Sequence, residues 1–248
     1  MDILETDAYD RRQRRNMSCV LFLYLVPFFL ATAVYFYLWT PESVGSSVSA
    51  GAKTAPALLL AAVVLSWNGL HSVLGVAGGL VFSAVGDFCL IWPDQMFLHG
   101  MAAFAVAHLF YSLTFLSSRY SSESSSKWPR LFYPILFLIG GAVYIHLYPY
   151  LQKAPNPDLL VPGVGVYILM ITLMGCMAIR TRRFITVLGS LVFMVSDLTL
   201  AVQVFKVAPI EHGNIIVMVT YYLAQLLIAV GDVKAVESTD DFSKWKRA

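Results

Sequence analysis

Two aspartates stand where an ionised side chain is costly. Asp87 and Asp197 lie inside long apolar runs, and no other formally charged residue falls well inside such a run. A carboxylate at membrane depth costs roughly a few kcal/mol unless it is paired, solvated or protonated. Where two share a low-dielectric cavity, desolvation and mutual repulsion leave one protonated, an acid, and the other ionised, a base. Such a pair is equipment for acid–base hydrolysis. The plainer alternative is two aspartates hydrogen-bonded to neighbouring helices as packing contacts.

Polar company recurs at helical spacing. His108 and Tyr111 share one apolar run, and Tyr221, Tyr222 and Gln225 share another, so each run can present donors toward a common cavity. Lys53, just before Pro56, stands where its ammonium meets a lipid phosphate or simply snorkels to the interface. His99, at the opening of a run, and Ser196, beside Asp197, complete the candidate substrate-binding set: Lys53, His99, His108, Tyr111, Ser196, Tyr221, Tyr222 and Gln225. Tyr35, Phe36, Tyr37 and Trp39 are expected to form an interfacial aromatic belt. No GxSxG, HExxH or GxxxxGK[ST] motif occurs, so a serine hydrolase, a zincin or a P-loop enzyme is not supported. The three Cys and five His show no ligand spacing, so no metal site is expected and Cys19, Cys89 and Cys176 are read as packing residues.

The elements that must position these residues follow from composition. Of 248 residues, 58% are apolar and 13% charged, against about 25% charged in soluble domains. Eight of the charged residues lie in 1–15 and eight in 232–248, which leaves a charge-poor middle suited to a bilayer. A net charge of +2 excludes a polybasic nucleic-acid binder, so no nucleic-acid partner is expected. A spanning helix needs about 20 apolar residues, and charge-free runs divided by turn residues predict eight: 18–39, 54–70, 73–92, 96–118, 131–150, 160–179, 184–205 and 212–231. The expected class is an all-α, polytopic membrane bundle with tails at 1–17 and 232–248. The string Trp67 to Ser72 is read as the tight turn dividing the second and third spans.

Basic residues give an independent check on that count. Alternate connections hold 14 of the Lys and Arg residues on one side and only Lys53, Lys153 and Lys206 on the other. Because Lys and Arg accumulate in cytoplasmic loops, eight spans with both termini cytosolic are expected, and the first span is retained rather than cleaved as a leader. The serine-rich linker 117–127 is expected to be a mobile cytosolic loop.

The third and seventh spans resemble each other. Gly79-Leu-Val-Phe-Ser-Ala-Val-Gly-Asp87 aligns with Gly189-Ser-Leu-Val-Phe-Met-Val-Ser-Asp197, and each is followed by a His-Gly pair, His99-Gly100 and His212-Gly213. Four spans apart, the copies imply a parallel duplication of spans one to four onto five to eight, with chance likeness between Leu/Val/Phe-rich helices as the alternative. Each aspartate then lies about 20 Å from the cytosolic start of its helix, at a common depth.

Gly79 to Trp92 (GLVFSAVGDFCLIW), Ala107-His-Leu-Phe-Tyr111, Ser196-Asp-Leu-Thr-Leu-Ala201 and Tyr221-Tyr-Leu-Ala-Gln-Leu-Leu-Ile228 resemble the lysoplasmalogenases of the YhhN-like family, the animal transmembrane form in particular. Lys53-Thr-Ala-Pro56 is similar to the family's Lys and Pro at the start of the second span. The resemblance implies hydrolysis of the vinyl ether bond of a lysoplasmalogen in the endoplasmic reticulum membrane, giving a fatty aldehyde and glycerophosphoethanolamine or glycerophosphocholine. It carries the family's two aspartates onto Asp87 and Asp197. The substrate partner is then a lysophospholipid amid membrane lipid.

The chemistry fits the carboxylate pair. Protonating the alkene carbon away from oxygen generates an oxocarbenium ion; water attacks it, and the hemiacetal collapses to aldehyde and alcohol. One acid and one base suffice, as in glycosidases, without metal or organic cofactor. Either aspartate satisfies either role; Asp87 as acid and Asp197 as base is the expected assignment, with the alkenyl chain along the apolar bundle and the headgroup toward Lys53. A proton-coupled transporter, or a non-catalytic lipid-binding membrane protein, is the rival class, since paired intramembrane aspartates and duplicated helices also occur in such machines.

Overall fold

The computed structural model describes the backbone of residues 3–38, 46–117, 120 and 131–245, with side chains described for 17–38, 46–70, 72–117, 120 and 131–237. All regular structure among these residues is helical: α1 (Ile3–Leu38), α2 (Ser47–Asn68), α3 (Val76–Cys89), α4 (Pro93–Leu116), α5 (Phe132–Leu151), α6 (Pro157–Thr181), α7 (Phe184–Val204) and α8 (Gly213–Trp245). All but α3 contain a stretch long and apolar enough to cross a membrane. The linker expected over 117–127 lies outside the described residues except for Ser117 and Tyr120, and so does Trp39.

The helix ends follow local chemistry and shift several of the expected boundaries, α1 beginning at Ile3 within the expected tail. α2 begins at Ser47 rather than at 54, where the charge-free run starts after Lys53, because the Ser46 hydroxyl accepts the Ser49 N–H at 3.0 Å and caps the added turns. Lys53 is thereby carried inside the helix instead of sitting at its edge. α2 stops at Gly69, whose φ of 70° favours glycine, and the 3₁₀ turn Leu70–Ser72 follows, as the Trp67–Ser72 turn predicts. α3 departs from the span expected over 73–92. It has only 14 residues, about 21 Å of rise against an apolar core of about 30 Å, so it is too short to cross alone. A turn closed by the Gly75 N–H on the Ser72 carbonyl delays its start, and Pro93 disfavours a helical Trp92 at its far end. Asp87 therefore lies in the last turn of α3 rather than deep within a span.

The packing has the pairing that a four-plus-four repeat would give. α1, α2, α3 and α4 contact in sequence, as do α5, α6, α7 and α8. Between the halves α4 packs on α6 and α2 on α8, and these two contacts interchange when each helix is exchanged for the one four places away. The glycines eight residues before each aspartate serve equivalent close approaches. A Cβ on Gly79 would stand 2.3 Å from the Tyr111 ring in α4, and one on Gly189 would stand 2.9 Å from Leu227 in α8. Small residues at such crossings let membrane helices gain close van der Waals contact.

α8 runs well past 231, and Asp232, grouped by the sequence with the tail, is fully buried. Its carboxylate accepts the Asn68 side-chain amide at 2.7 Å and the Tyr120 hydroxyl at 2.9 Å, while the Arg183 guanidinium lies 5.6 Å from the centre of the Tyr120 ring. The first helix also differs from expectation. Tyr35 is buried and Phe36 packs against the core, which leaves Tyr37, 86% exposed, as the belt residue there among those described. Cys89 and Cys176 are buried as expected, whereas Cys19 is exposed.

Gly79→Ala is expected to destabilise the bundle by about 1–3 kcal/mol through overpacking against Tyr111. Gly51→Ala, whose Cβ would meet nothing within 4 Å, is expected to leave the melting temperature in detergent unchanged or raised. Equal melting temperatures for Gly79→Ala and the parent would contradict this account of the α3–α4 crossing.

Candidate active site

Asp87 and Asp197 line one cavity of about 250 Å³ at the end of the bundle where α1 finishes and α2 begins. Lys53, Ser196 and Tyr221 share its wall, together with Tyr35 and Asn214. Four helices bring the chemistry together: α2 supplies Lys53, α3 Asp87, α7 Asp197 and α8 Tyr221.

Asp87 is 1% exposed and tightly held. The Tyr221 hydroxyl donates to its Oδ2 at 2.6 Å, and the Lys53 Nζ lies 3.8 Å from its Oδ1. Lys53 thus turns inward to a carboxylate instead of snorkelling to the interface. Its own backbone is fixed by the Tyr222 hydroxyl, which donates to the Lys53 carbonyl at 2.9 Å and ties α8 to α2. Tyr35 packs edge-on against Tyr222, with ring centres 5.5 Å apart.

Asp197 meets a different pair. Its Oδ2 accepts a close hydrogen bond from the Tyr167 hydroxyl of α6 and lies 3.1 Å from the His108 Nε2 of α4. His108 is fully buried against Phe193, and its Nε2 is also 3.1 Å from the Tyr167 oxygen. Its Nδ1 has no hydrogen-bond partner among the described residues. A bare buried Nδ1 fits the neutral ring with the proton on Nε2, because an imidazolium would leave a buried N–H unpaired.

The two halves exchange donors. Asp87 of the first half is held from α8, and Asp197 of the second from α4. Tyr221 follows His212 by nine residues and His108 follows His99 by nine, so the two donors occupy the same position of the repeat. Each aspartate takes its other partner from the second helix of its own half, Lys53 of α2 or Tyr167 of α6.

A second cavity, of about 300 Å³, adjoins the first. Its lining from α4, α5, α6 and α7 is apolar apart from Tyr167, Thr172 and Asp197. Leu90, Phe104, Asp197, Leu200 and Val204 border both spaces, so Asp197 stands at the junction of a chamber that holds Lys53 and Asp87 among apolar walls and one that is almost wholly apolar.

The remaining candidates divide clearly. Ser196 lines the polar cavity, and its hydroxyl donates to the Val217 carbonyl at 2.9 Å. Tyr111 is buried behind His108 and bonds Ser83 at 3.2 Å, so it lines neither cavity. Tyr222 acts on the Lys53 backbone, and Gln225 is fully buried one turn beyond Tyr221, away from both spaces. His99 is exposed and borders neither cavity, because it lies on the opposite side of the first turns of α4 from the site. Tyr167 was missed by the sequence reading, for a lone Tyr in an apolar helix has no spaced polar neighbour to mark it. Among the described residues no three His, Cys, Asp or Glu gather as metal ligands.

Comparison with known proteins gives a consistent picture. The YhhN family matches residues 48–231. Lysoplasmalogenase TMEM86A of Bos taurus is 37% identical over 235 residues, covering 88% of this chain and 92% of the relative. Its Homo sapiens counterpart is 36% identical over 235 residues, with the same shares of each chain, and Homo sapiens lysoplasmalogenase TMEM86B is 38% identical over 222 residues, 88% of this chain and 90% of the relative. No solved structure matches. The matched segment contains both aspartates and every residue that bonds them, and the chain belongs to the YhhN family.

Proposed function

We propose that this protein is a lysoplasmalogenase that hydrolyses the vinyl ether bond of an alkenyl glycerophosphoethanolamine or glycerophosphocholine, with Asp87 and Asp197 as its acid–base pair. The names of relatives similar along most of the chain support the activity. The observation that carries the site is the place of Asp197 between the cavity that holds the Lys53 ammonium and Asp87 and one that is almost wholly apolar. The bond to be cut joins a hydrocarbon chain to a polar headgroup, and a substrate with one part in each chamber presents that bond to Asp197.

For the roles we infer the assignment opposite to the one expected from the sequence, with Asp197 as acid and Asp87 as base. With a neutral His108, the site holds two carboxyl groups and one ammonium, so a single ionised carboxylate leaves it neutral, the least costly state at low dielectric. Lys53 selects Asp87 for that charge. Asp197 then carries the proton on Oδ1, while its Oδ2 accepts from Tyr167 and His108. Asp197 gives its proton to the distal alkene carbon, and the two donors strengthen their bonds as the carboxylate forms. Water adds to the oxocarbenium carbon as Asp87 takes its proton. Asp87 then returns that proton to the departing glycerol oxygen, the hemiacetal hydroxyl proton passes to Asp197, and both groups are restored with one water consumed.

We also read the chain as a protein of the endoplasmic reticulum membrane with both termini cytosolic, α3 crossing together with the turns at its two ends, 70–75 and 90–92, so that the crossings number eight. The distribution of Lys and Arg supports that orientation, and the family resemblance supports the compartment.

Purified protein in detergent, without any gradient, is expected to release aldehyde from a lysoplasmalogen, and folded Asp87→Asn and Asp197→Asn variants are expected to lose that activity. An inactive parent, or full activity in both variants, would favour the transporter reading. Infrared spectra of variants that keep both carboxyl groups separate the two roles: the carboxylic-acid C=O band of the parent is expected to shift in Asp197→Glu and to stay in place in Asp87→Glu; the opposite pattern would restore Asp87 as the acid. Lys53→Ala is expected to lower kcat as well as raise KM, by about tenfold or more in kcat/KM, because it removes the charge that keeps Asp87 ionised. A change in KM alone would limit Lys53 to headgroup binding.

A further inference from the structure

The apolar cavity is bounded by α5 on one side and α7 on the other, yet α5 packs on α6 and has no comparable contact with α7. The space between α5 and α7 is therefore a cleft rather than a sealed core. Its rim residues line the cavity and also face outward: Ile139 of α5 is 50% exposed, and Val195 and Leu198 of α7 are 54% and 41% exposed. In a helix bundle immersed in lipid, such apolar exposure faces hydrocarbon. The inner end of the same space is Asp197.

We propose that the α5–α7 cleft is a lateral portal for a single hydrocarbon chain, admitting the alkenyl chain of the substrate from the bilayer and returning the fatty aldehyde to it. The assignment rests on the hydrolase reading for the identity of the chain and on the cavity geometry for the route. The occupant is a lipid chain because the walls offer only Tyr167, Thr172 and Asp197 as polar groups, and both Tyr167 and Asp197 belong to the reacting end. The two products then part by opposite ways. The water-soluble glycerophosphodiester leaves through the chamber of Lys53, and the aldehyde leaves sideways without crossing water.

Ile139→Trp and Val195→Trp narrow the rim without entering the site. Leu30→Trp, on a lipid-facing position of α1 that is 62% exposed, controls for a bulky indole at the surface. With a long-chain lysoplasmalogen the two rim variants are expected to lose about tenfold or more in kcat/KM, while a short-chain, water-soluble alkenyl analogue is turned over within about twofold of the parent rate. The Leu30→Trp variant should match the parent on both. An equal loss on both substrates, or no loss on either, overturns the portal. A second readout does not need turnover: a lysolipid with a photoreactive group near the end of its chain is expected to label α5 and α7 in the parent and to label them less in the rim variants. Labelling spread evenly over the lipid-facing helices overturns the portal even where aldehyde is produced, and labelling confined to α5 and α7 in a protein that releases no aldehyde separates a failure of the hydrolase reading from a failure of the cleft.

Discussion

A carboxylate inside a membrane bundle needs donors, and here each of the two finds them across the boundary between halves. Tyr221 reaches back from α8 to Asp87, and His108 reaches forward from α4 to Asp197. Neither half can satisfy its own aspartate fully, so the bonds that make the site also hold the halves together. The same constraint explains the tight crossings beside them: Gly79 and Gly189 bring α3 against α4 and α7 against α8, which sets the depth from which the donors project.

The repeated helix pairing supplies a near-symmetric frame, and the difference in chemistry comes from the residues placed on it. Position for position the repeat puts a tyrosine on one carboxylate and a histidine on the other. The second helices break the symmetry further, since α2 contributes an ammonium and α6 a phenol. Two groups of one type in equivalent places thus have different surroundings, the asymmetry on which the proposed acid and base roles rest.

Much of this was legible in the sequence because a charge in an apolar run is conspicuous. Asp87 and Asp197 stood out by cost alone, and the repeated Gly–Asp spacing fixed their common frame. Helical spacing also pointed to His108 and Tyr221. What escaped had a physical cause in each case. Lys53 looked interfacial because the Ser46 cap that draws 47–53 into α2 leaves little trace among Ser and Gly residues. α3 read as a full span because hydropathy does not register the turns at either end. Tyr35 looked like a belt residue because a tyrosine near a helix end serves a lipid interface or a cavity wall equally well, and only packing against Tyr222 decides between them. Tyr167 carried no spacing signal at all, and His99 matched the repeat while its position on α4 turns it away from the site.

The buried cluster at the far end of α8 has a mechanical consequence. Asp232 clamps that helix to Asn68 and Tyr120 eleven residues beyond Tyr221, about 16 Å along the axis. The segment bearing Tyr221 and Tyr222 is therefore anchored at both ends, by the Asp87 and Lys53 contacts at one and by this clamp at the other. A load on the last turns of α8 is borne at Asp232 before it reaches the chamber of the two aspartates, which makes that end of the helix a natural handle for a fusion partner or surface tether.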